Sequence, residues 1–247
     1  MLKVRNLTLR YPNGKLALVN FSVTVNAGEL VIVLGGNGSG KTTLLRSIAR
    51  TLTPCAGEVW VNGTELTRLN GERLRRARLE LAMISQHASL VRRRSVLANV
   101  AAGALGRLGG IWTALGGLPV SELKVAHGYL EEVGLQHLAG QRAGTLSGGQ
   151  AQRVAIARAL AQHPRVLLAD EPIASLDPEA AEDIMRLLRR LAGEDNLAVL
   201  CVLHQVELAY AYADRLVGIR DGHMVFDLPR EQLSRDTVRR LYLTEAA

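Results

Sequence analysis

Aromatic residues make up only 4% of this 247-residue chain, against 21% charged residues and a formal net charge of +7. The basic excess is mostly arginine, in short clusters such as Arg73, Arg75, Arg76 and Arg78 and then Arg92 to Arg94. No aromatics interleave with these clusters, so a surface that stacks nucleobases is not expected and no nucleic acid is expected as partner. A solvated face, or one close to anionic headgroups, accounts for them better. Cysteine is nearly absent: Cys55 and Cys201 stand far apart, in neither metal-ligand nor redox spacing. They read as two reduced, buried thiols and give no disulfide framework. No segment reaches the ~18 uninterrupted apolar residues that mark a spanning helix. The nearest is Ser95 to Pro119, whose only charge is Arg107, and it carries six glycines (Gly103, Gly106, Gly109, Gly110, Gly116 and Gly117). The opening residues Met1 to Asn6 alternate like a strand and lack the pattern of a secretory leader. Any role at a membrane is therefore expected to come through partners. Internal repeats and low-complexity linkers are also missing.

What is present is a large apolar fraction, 48%, enough for a sizeable core. Leu2 to Arg10 and Phe21 to Val25 alternate like strands, separated by the punctuation Pro12-Asn13-Gly14. Leu30 to Leu34 is a continuous apolar run of the kind buried on both faces of a parallel sheet. Thr42 to Arg50 reads as a helix, and Ser95 to about Gln162 as a helical stretch rich in Ala, Leu and Gly. Val166 to Ala169 and Ala198 to Leu203 are further buried strands, with a helix over Pro178 to Leu191 between them. Strands alternating with helices at this spacing predict an α/β fold with a mostly parallel sheet.

Between the first buried strand and its helix lies Gly35-Gly36-Asn37-Gly38-Ser39-Gly40-Lys41-Thr42, followed by Thr43. This is the P-loop pattern G-x-x-x-x-G-K-[ST]. Glycines let backbone N–H groups wrap phosphate oxygens, and the helix that follows turns its positive end toward the same anion. Lys41 is placed to reach β- and γ-phosphates, and the Thr42 hydroxyl to ligate Mg2+. Farther on, Val166-Leu167-Leu168-Ala169-Asp170-Glu171 is an apolar strand ending in two acids. Asp170 is expected to hold Mg2+ through water, and Glu171 to polarise the attacking water as general base.

Leu146-Ser147-Gly148-Gly149-Gln150 decides the class, because it resembles the signature motif of ABC transporter ATPases letter for letter. Ser147 can cap a helix while Gly148 and Gly149 expose N–H groups to an anion. Other positions resemble that family's elements in order. Gln86 resembles the Q-loop glutamine, a third candidate for Mg2+ and catalysis. Ser175-Leu176-Asp177 resembles the D-loop, His204 the switch histidine, and Tyr11 the aromatic that stacks on adenine.

The resemblance covers nearly the whole chain. It implies a RecA-like P-loop NTPase fold in a single domain, 1–247. In it a nucleotide-binding core of about 1–86 and 161–247 carries antiparallel strands in its N-terminal part and an inserted α-helical subdomain of about 87–160. It also implies a head-to-tail homodimer in which one P-loop and the partner's signature close on the same ATP. Membrane permease subunits, and indirectly a periplasmic solute-binding protein, complete the assembly at the cytoplasmic face of the cell membrane. The chain carries no fused membrane helices, which favours an importer.

Three segments are similar to the phosphonate-importer ATPase subfamily: Leu168 to Pro178, Leu203 to Ala209, and Leu105-Gly106-Arg107 with Leu115 to Pro119. They imply uptake of phosphonate or a related phosphorus oxyanion. The alternatives are another small solute (phosphate, phosphite, a polar amino acid) or an ABC ATPase outside transport. A regulator without turnover would be expected to lack Glu171 or His204. The nearly uncharged stretch Ser95 to Pro119, including Leu105 and Trp112, is expected to present an apolar face to the membrane subunits, or else to pack within the helical lobe.

Overall fold

The computed structural model describes residues 1–108 and 118–242. Two sheets face each other across the first helix. β1 (Leu2–Arg10), β2 (Leu16–Val25), β4 (Ala56–Val61) and β5 (Thr64–Glu65) form an antiparallel sheet in the order β2-β1-β4-β5. The second sheet has six strands in the order β10-β9-β3-β8-β7-β6. They are β3 (Leu30–Leu34), β6 (Leu81–Ile84), β7 (Val166–Asp170), β8 (Ala198–Val202), β9 (Arg215–Arg220) and β10 (His223–Pro229). All neighbours pair in parallel except β10, which returns antiparallel along β9.

In β3 the period-2 alternation divides one apolar run between two cores. Val31 and Val33 face the antiparallel sheet, together with Leu44, Leu45 and Ile48 of α1 (Lys41–Ile48). Leu30, Ile32 and Leu34 face the other side, where α5 (Gly148–Leu160) and α6 (Pro178–Gly193) supply Ile156, Leu160, Ile184 and Leu188. A strand buried on both faces has no polar side to show, hence the unbroken Leu-Val-Ile-Val-Leu.

Between β6 and β7 the chain builds α3 (Val96–Ala101), α4 (Val120–Glu132) and α5, with a 3-10 turn after α3 and two more between α4 and α5. Val96, Val100, Ala101 and Ala104 are buried among these helices. Leu97, Leu105, Leu108 and Leu118 of the same stretch are half-buried. Trp112, Leu115, Gly116 and Gly117 lie outside the described residues. One correction concerns Cys55, expected to be buried: it is exposed ahead of β4, its thiol donating to the Thr8 carbonyl at 3.3 Å; Cys201, in a central strand, is buried as expected. No described helix is long and apolar enough to cross a membrane.

The remaining elements are α2 (Gly71–Ala77), α7 (Val206–Tyr212) and α8 (Arg235–Tyr242). These and β4, β5, β9 and β10 go beyond what the sequence pattern predicts. β9 and β10 are joined by Asp221-Gly222, both at positive φ, the two-residue turn whose twist matches a hairpin.

Candidate functional site

Four adjacent parallel strands end on one edge of the large sheet, and each delivers one element of the site. In sheet order, β3 leads into the P-loop, β8 into His204, β7 into Asp170 and Glu171, and β6 into Gln86. The carboxyl ends of parallel strands form the crevice in which such folds bind ligands.

Gly40 ends the P-loop at φ 110°, a conformation open to glycine, and a Cβ there would lie 2.6 Å from the Ala17 carbonyl oxygen. The chain can then turn tightly into α1 while passing against β2. Lys41 is 5% exposed, and its Nζ donates to the carbonyls of Gly35 and Gly36, both at 2.8 Å. Burial lowers its pKa, against the pull of Glu171 and Asp170. The ammonium is thus parked on the loop's own carbonyls, in the cleft where phosphate would compete for it. Ser39 and Thr43 are also buried.

The Thr42 hydroxyl donates to Asp170 Oδ1 at 3.0 Å, joining the P-loop helix to the end of β7. Burial raises the Asp170 pKa, partly offset by that hydrogen bond. Next to it, Glu171 is tied to β8 through its main chain, its N–H donating to the Val202 carbonyl at 3.1 Å, and has φ 49°. A non-glycine residue in this left-handed region stores about 1 kcal/mol or more and is held there by its surroundings. Its Oε1 lies 2.6 Å from His204 Nε2.

Two clefts meet at these groups. One, of about 340 Å3, is lined by Asn37, Gly38 and Gly40 to Thr43 of the P-loop, by Glu171, and at its far end by Tyr11, Lys15 to Ala17, Asp221 and Gly222. The other, of about 420 Å3, is lined by Asn37, Glu171, Ala174 and Leu203 to Gln205. The Tyr11 hydroxyl is hydrogen-bonded to Thr43 Oγ1 at 2.8 Å, which fixes its ring on the first cleft. The Lys15 to Ala17 and Asp221-Gly222 walls are not evident from sequence. The Asp-Gly pair between two alternating runs carries a hairpin signal, but nothing local says what it touches. Gly222 N–H donates to the Ser39 carbonyl at 2.9 Å, so that hairpin also braces the P-loop.

Gln86 is brought to the same sheet edge but into neither cleft; it is exposed just past β6. Leu146 to Gln150 also lines neither. Ser147 caps α5 with a reciprocal capping box, its Oγ accepting from Gln150 N–H and its own N–H donating to Gln150 Oε1. Gly148 and Gly149 pack under Leu176 and Ala180, where a Cβ would come within 3.2 and 3.0 Å of those side chains. Asp177 caps α6 through Ala180 N–H, with Pro178 at the first helical position. Ser175 beside it is exposed.

Sequence comparison agrees with this geometry. The family model described as ABC transporter matches residues 18–174. A protein named Phosphonates import ATP-binding protein PhnC from Frankia casuarinae is 52% identical over 212 residues, 86% of this chain and 84% of that protein. Another so named, from Ruegeria sp., is 46% identical over 243 residues, 98% of this chain and 94% of its own. Among solved structures, the dimeric post-hydrolysis state of the ATP-binding cassette MJ0796, bound to ADP and Pi, superposes with a TM-score of 0.82 at 32% identity, covering 94% of this chain and 100% of its own. The ADP conformation of MJ1267, an ATP-binding cassette of an ABC transporter, gives 0.86 at 27% identity, covering 98% of each. With its P-loop, paired acids and signature helix on a P-loop NTPase fold, the chain belongs to the ABC transporter family, as one of its ATP-binding cassettes.

Proposed function

We propose that this chain is the ATP-hydrolysing subunit of an importer for phosphonate or a related phosphorus oxyanion, and that it works as a head-to-tail dimer. The observation that carries the dimer is the separation inside one chain. Lys41, Thr42, Asp170, Glu171 and His204 gather at adjoining clefts, whereas Ser147 and Gly149 line neither. The signature of a second copy would close the site. The core of about 1–86 and 161–247 holds the nucleotide in this reading, and the helical part of about 87–160 offers the signature to the partner.

Bound ATP would draw Lys41 Nζ off the Gly35 and Gly36 carbonyls onto its β- and γ-phosphates, with the N–H groups of Gly38 to Thr43 around them. The Tyr11 ring offers the base a stacking face, fixed by its bond to Thr43. The Thr42 hydroxyl and the Asp170 carboxylate are hard oxygen donors at one point of the cleft, and this donor set suits Mg2+, which usually takes one or two protein groups plus phosphates and water. When bound, Mg2+ neutralises charge on the β- and γ-phosphates. Glu171 accepts the proton of the water that attacks the γ-phosphorus, and ADP leaves as the bond to the bridging oxygen breaks. His204 Nε2 holds the Glu171 carboxylate in position, and that same nitrogen would turn to a γ-oxygen when ATP is bound. Gln86 would join the γ-phosphate side from β6. Ser175 to Asp177, whose Leu176 packs on Gly148, would face the dimer partner.

The substrate class rests on relatives named for phosphonate import at 40–52% identity. In this reading the chain sits at the cytoplasmic face of the membrane, bound to permease subunits that receive substrate from a solute-binding protein. The test is ATPase activity of the complex reconstituted with its permease. Solute-binding protein loaded with a phosphonate should stimulate hydrolysis. Stimulation by a polar amino acid, with none by phosphonate, phosphite or phosphate, would overturn the substrate.

A further inference from the structure

Gln86 has an exposed side chain and no hydrogen bond of its own among the described residues, yet the main chain on either side of it is tightly held. The donors come from the helix that begins with the signature. Gln152, 3% exposed, donates through Nε2 to the Ser85 carbonyl at 3.4 Å. Arg158 donates to the next two carbonyls past the loop, Nη2 to Ala88 at 2.8 Å and Nη1 to Ser89 at 2.9 Å. Just beyond the helix, Gln162 Nε2 donates to the carbonyls of Arg78, Leu79 and Leu81, which hold the start of β6.

These are side chain to main chain bonds, and between the two anchors the loop is braced further by its own hydroxyls, Ser85 Oγ and Ser89 Oγ donating to the His87 carbonyl at 2.9 and 3.1 Å. A guanidinium is well shaped for such a grip, because its rigid fork meets two successive carbonyls at once, which a lysine ammonium does less well. Arg158 forms no ion pair among the described residues, and burial lowers its pKa. A partly buried cation held on carbonyls alone is a costly arrangement to keep unless the carbonyls need holding.

We propose that Arg158, helped by Gln152, is a positioning residue for Gln86. It ties the main chain on both sides of Gln86 to α5 and so sets where the Gln86 side chain stands. The inference rests on the role given to Gln86 above, and its test separates the two.

The test is a double-mutant cycle on kcat with Arg158→Met, Gln86→Ala and the pair, together with amide hydrogen exchange. Arg158→Met should lower kcat by about tenfold, close to Gln86→Ala, with the KM for ATP nearly unchanged. The pair should be no slower than Gln86→Ala alone. Exchange should accelerate at residues 85–89 and stay unchanged in α1 and β7. Arg158→Lys, which keeps the charge and should fold, is expected to fall between. Multiplying penalties in the pair would overturn the proposal, as would unaltered exchange at 85–89. If Gln86→Ala leaves kcat untouched, the role of Gln86 fails instead. The exchange result then decides the clamp alone: acceleration confined to 85–89 upholds it, and its absence ends it.

Discussion

The P-loop edge and the signature end are both built from glycines at a helix N-terminus, but they are finished to different degrees. At the P-loop, each functional side chain has a counterpart within the chain: Lys41 with two carbonyls, Thr42 with Asp170, Glu171 with His204, Tyr11 with Thr43. At the signature, the capping box satisfies the first turn and the glycines rest on Leu176 and Ala180, yet no described cleft lies against it. One is a cleft lined by groups of a single chain. In the proposed dimer the other is a helix end that meets its ligand when a second molecule brings one. On that proposal, the contrast teaches that a phosphate-binding motif can be folded and capped and still be half of a site.

The largest expected effect would break the first half of this comparison. Glu171→Gln keeps the shape and the bond to His204 but removes the base, so turnover should drop by roughly 100-fold or more while ATP still binds. Its dimer should then persist in ATP on size-exclusion chromatography; wild-type turnover would remove Glu171 from the mechanism. Mixing two inactive variants addresses the second half. Lys41→Ala spoils the P-loop and Ser147→Arg the signature, so a heterodimer keeps one site made of an intact loop and an intact signature. An equal mixture should recover roughly a quarter of wild-type activity, because half the dimers are mixed and each has one of two sites. No recovery would place both motifs in the same chain's site.

A smaller effect sharpens the base end of the cleft. Tyr11→Ala should raise the KM for ATP by about tenfold with kcat little changed, since a stacked base contributes about 1–3 kcal/mol. An unchanged KM would leave Tyr11 as a brace on Thr43 alone.

The smallest effect concerns stability. Burial raises the Asp170 pKa in the folded chain, so the folded state binds that proton more tightly than the unfolded one and loses stability as pH rises through the window between the two values. Asp170→Asn removes this cost. The variant, inactive, should melt a few degrees higher than wild type at pH 7 without Mg2+, and the gain should shrink as pH falls below the ordinary carboxylate range. A gain that grows in acid would reverse the assignment.

Much of the site is legible in the sequence because its elements end buried strands. The apolar runs Leu30 to Leu34, Val166 to Ala169 and Ala198 to Leu203 stand out, and whatever follows each one falls on the same sheet edge. The Ser147 cap is legible too, as the serine three residues before Gln150. The parts that escape depend on long-range placement. Lys15 to Ala17 and Asp221-Gly222 join the cleft from opposite ends of the chain. Arg158 looks like any helical arginine until the loop it grips is seen. The usual burial of cysteine misleads at Cys55, because the chain ahead of β4 runs along a sheet edge, where solvent reaches it.

The backbone of Glu171 has a consequence for protein engineering. At φ 49°, glycine or asparagine would be more at ease than glutamate. With Glu171 as the proposed base, a selection for heat resistance that ignores turnover would drift toward those residues at this position and harvest well-folded, silent proteins. Stabilising this cassette without disarming it means leaving position 171 out of the library.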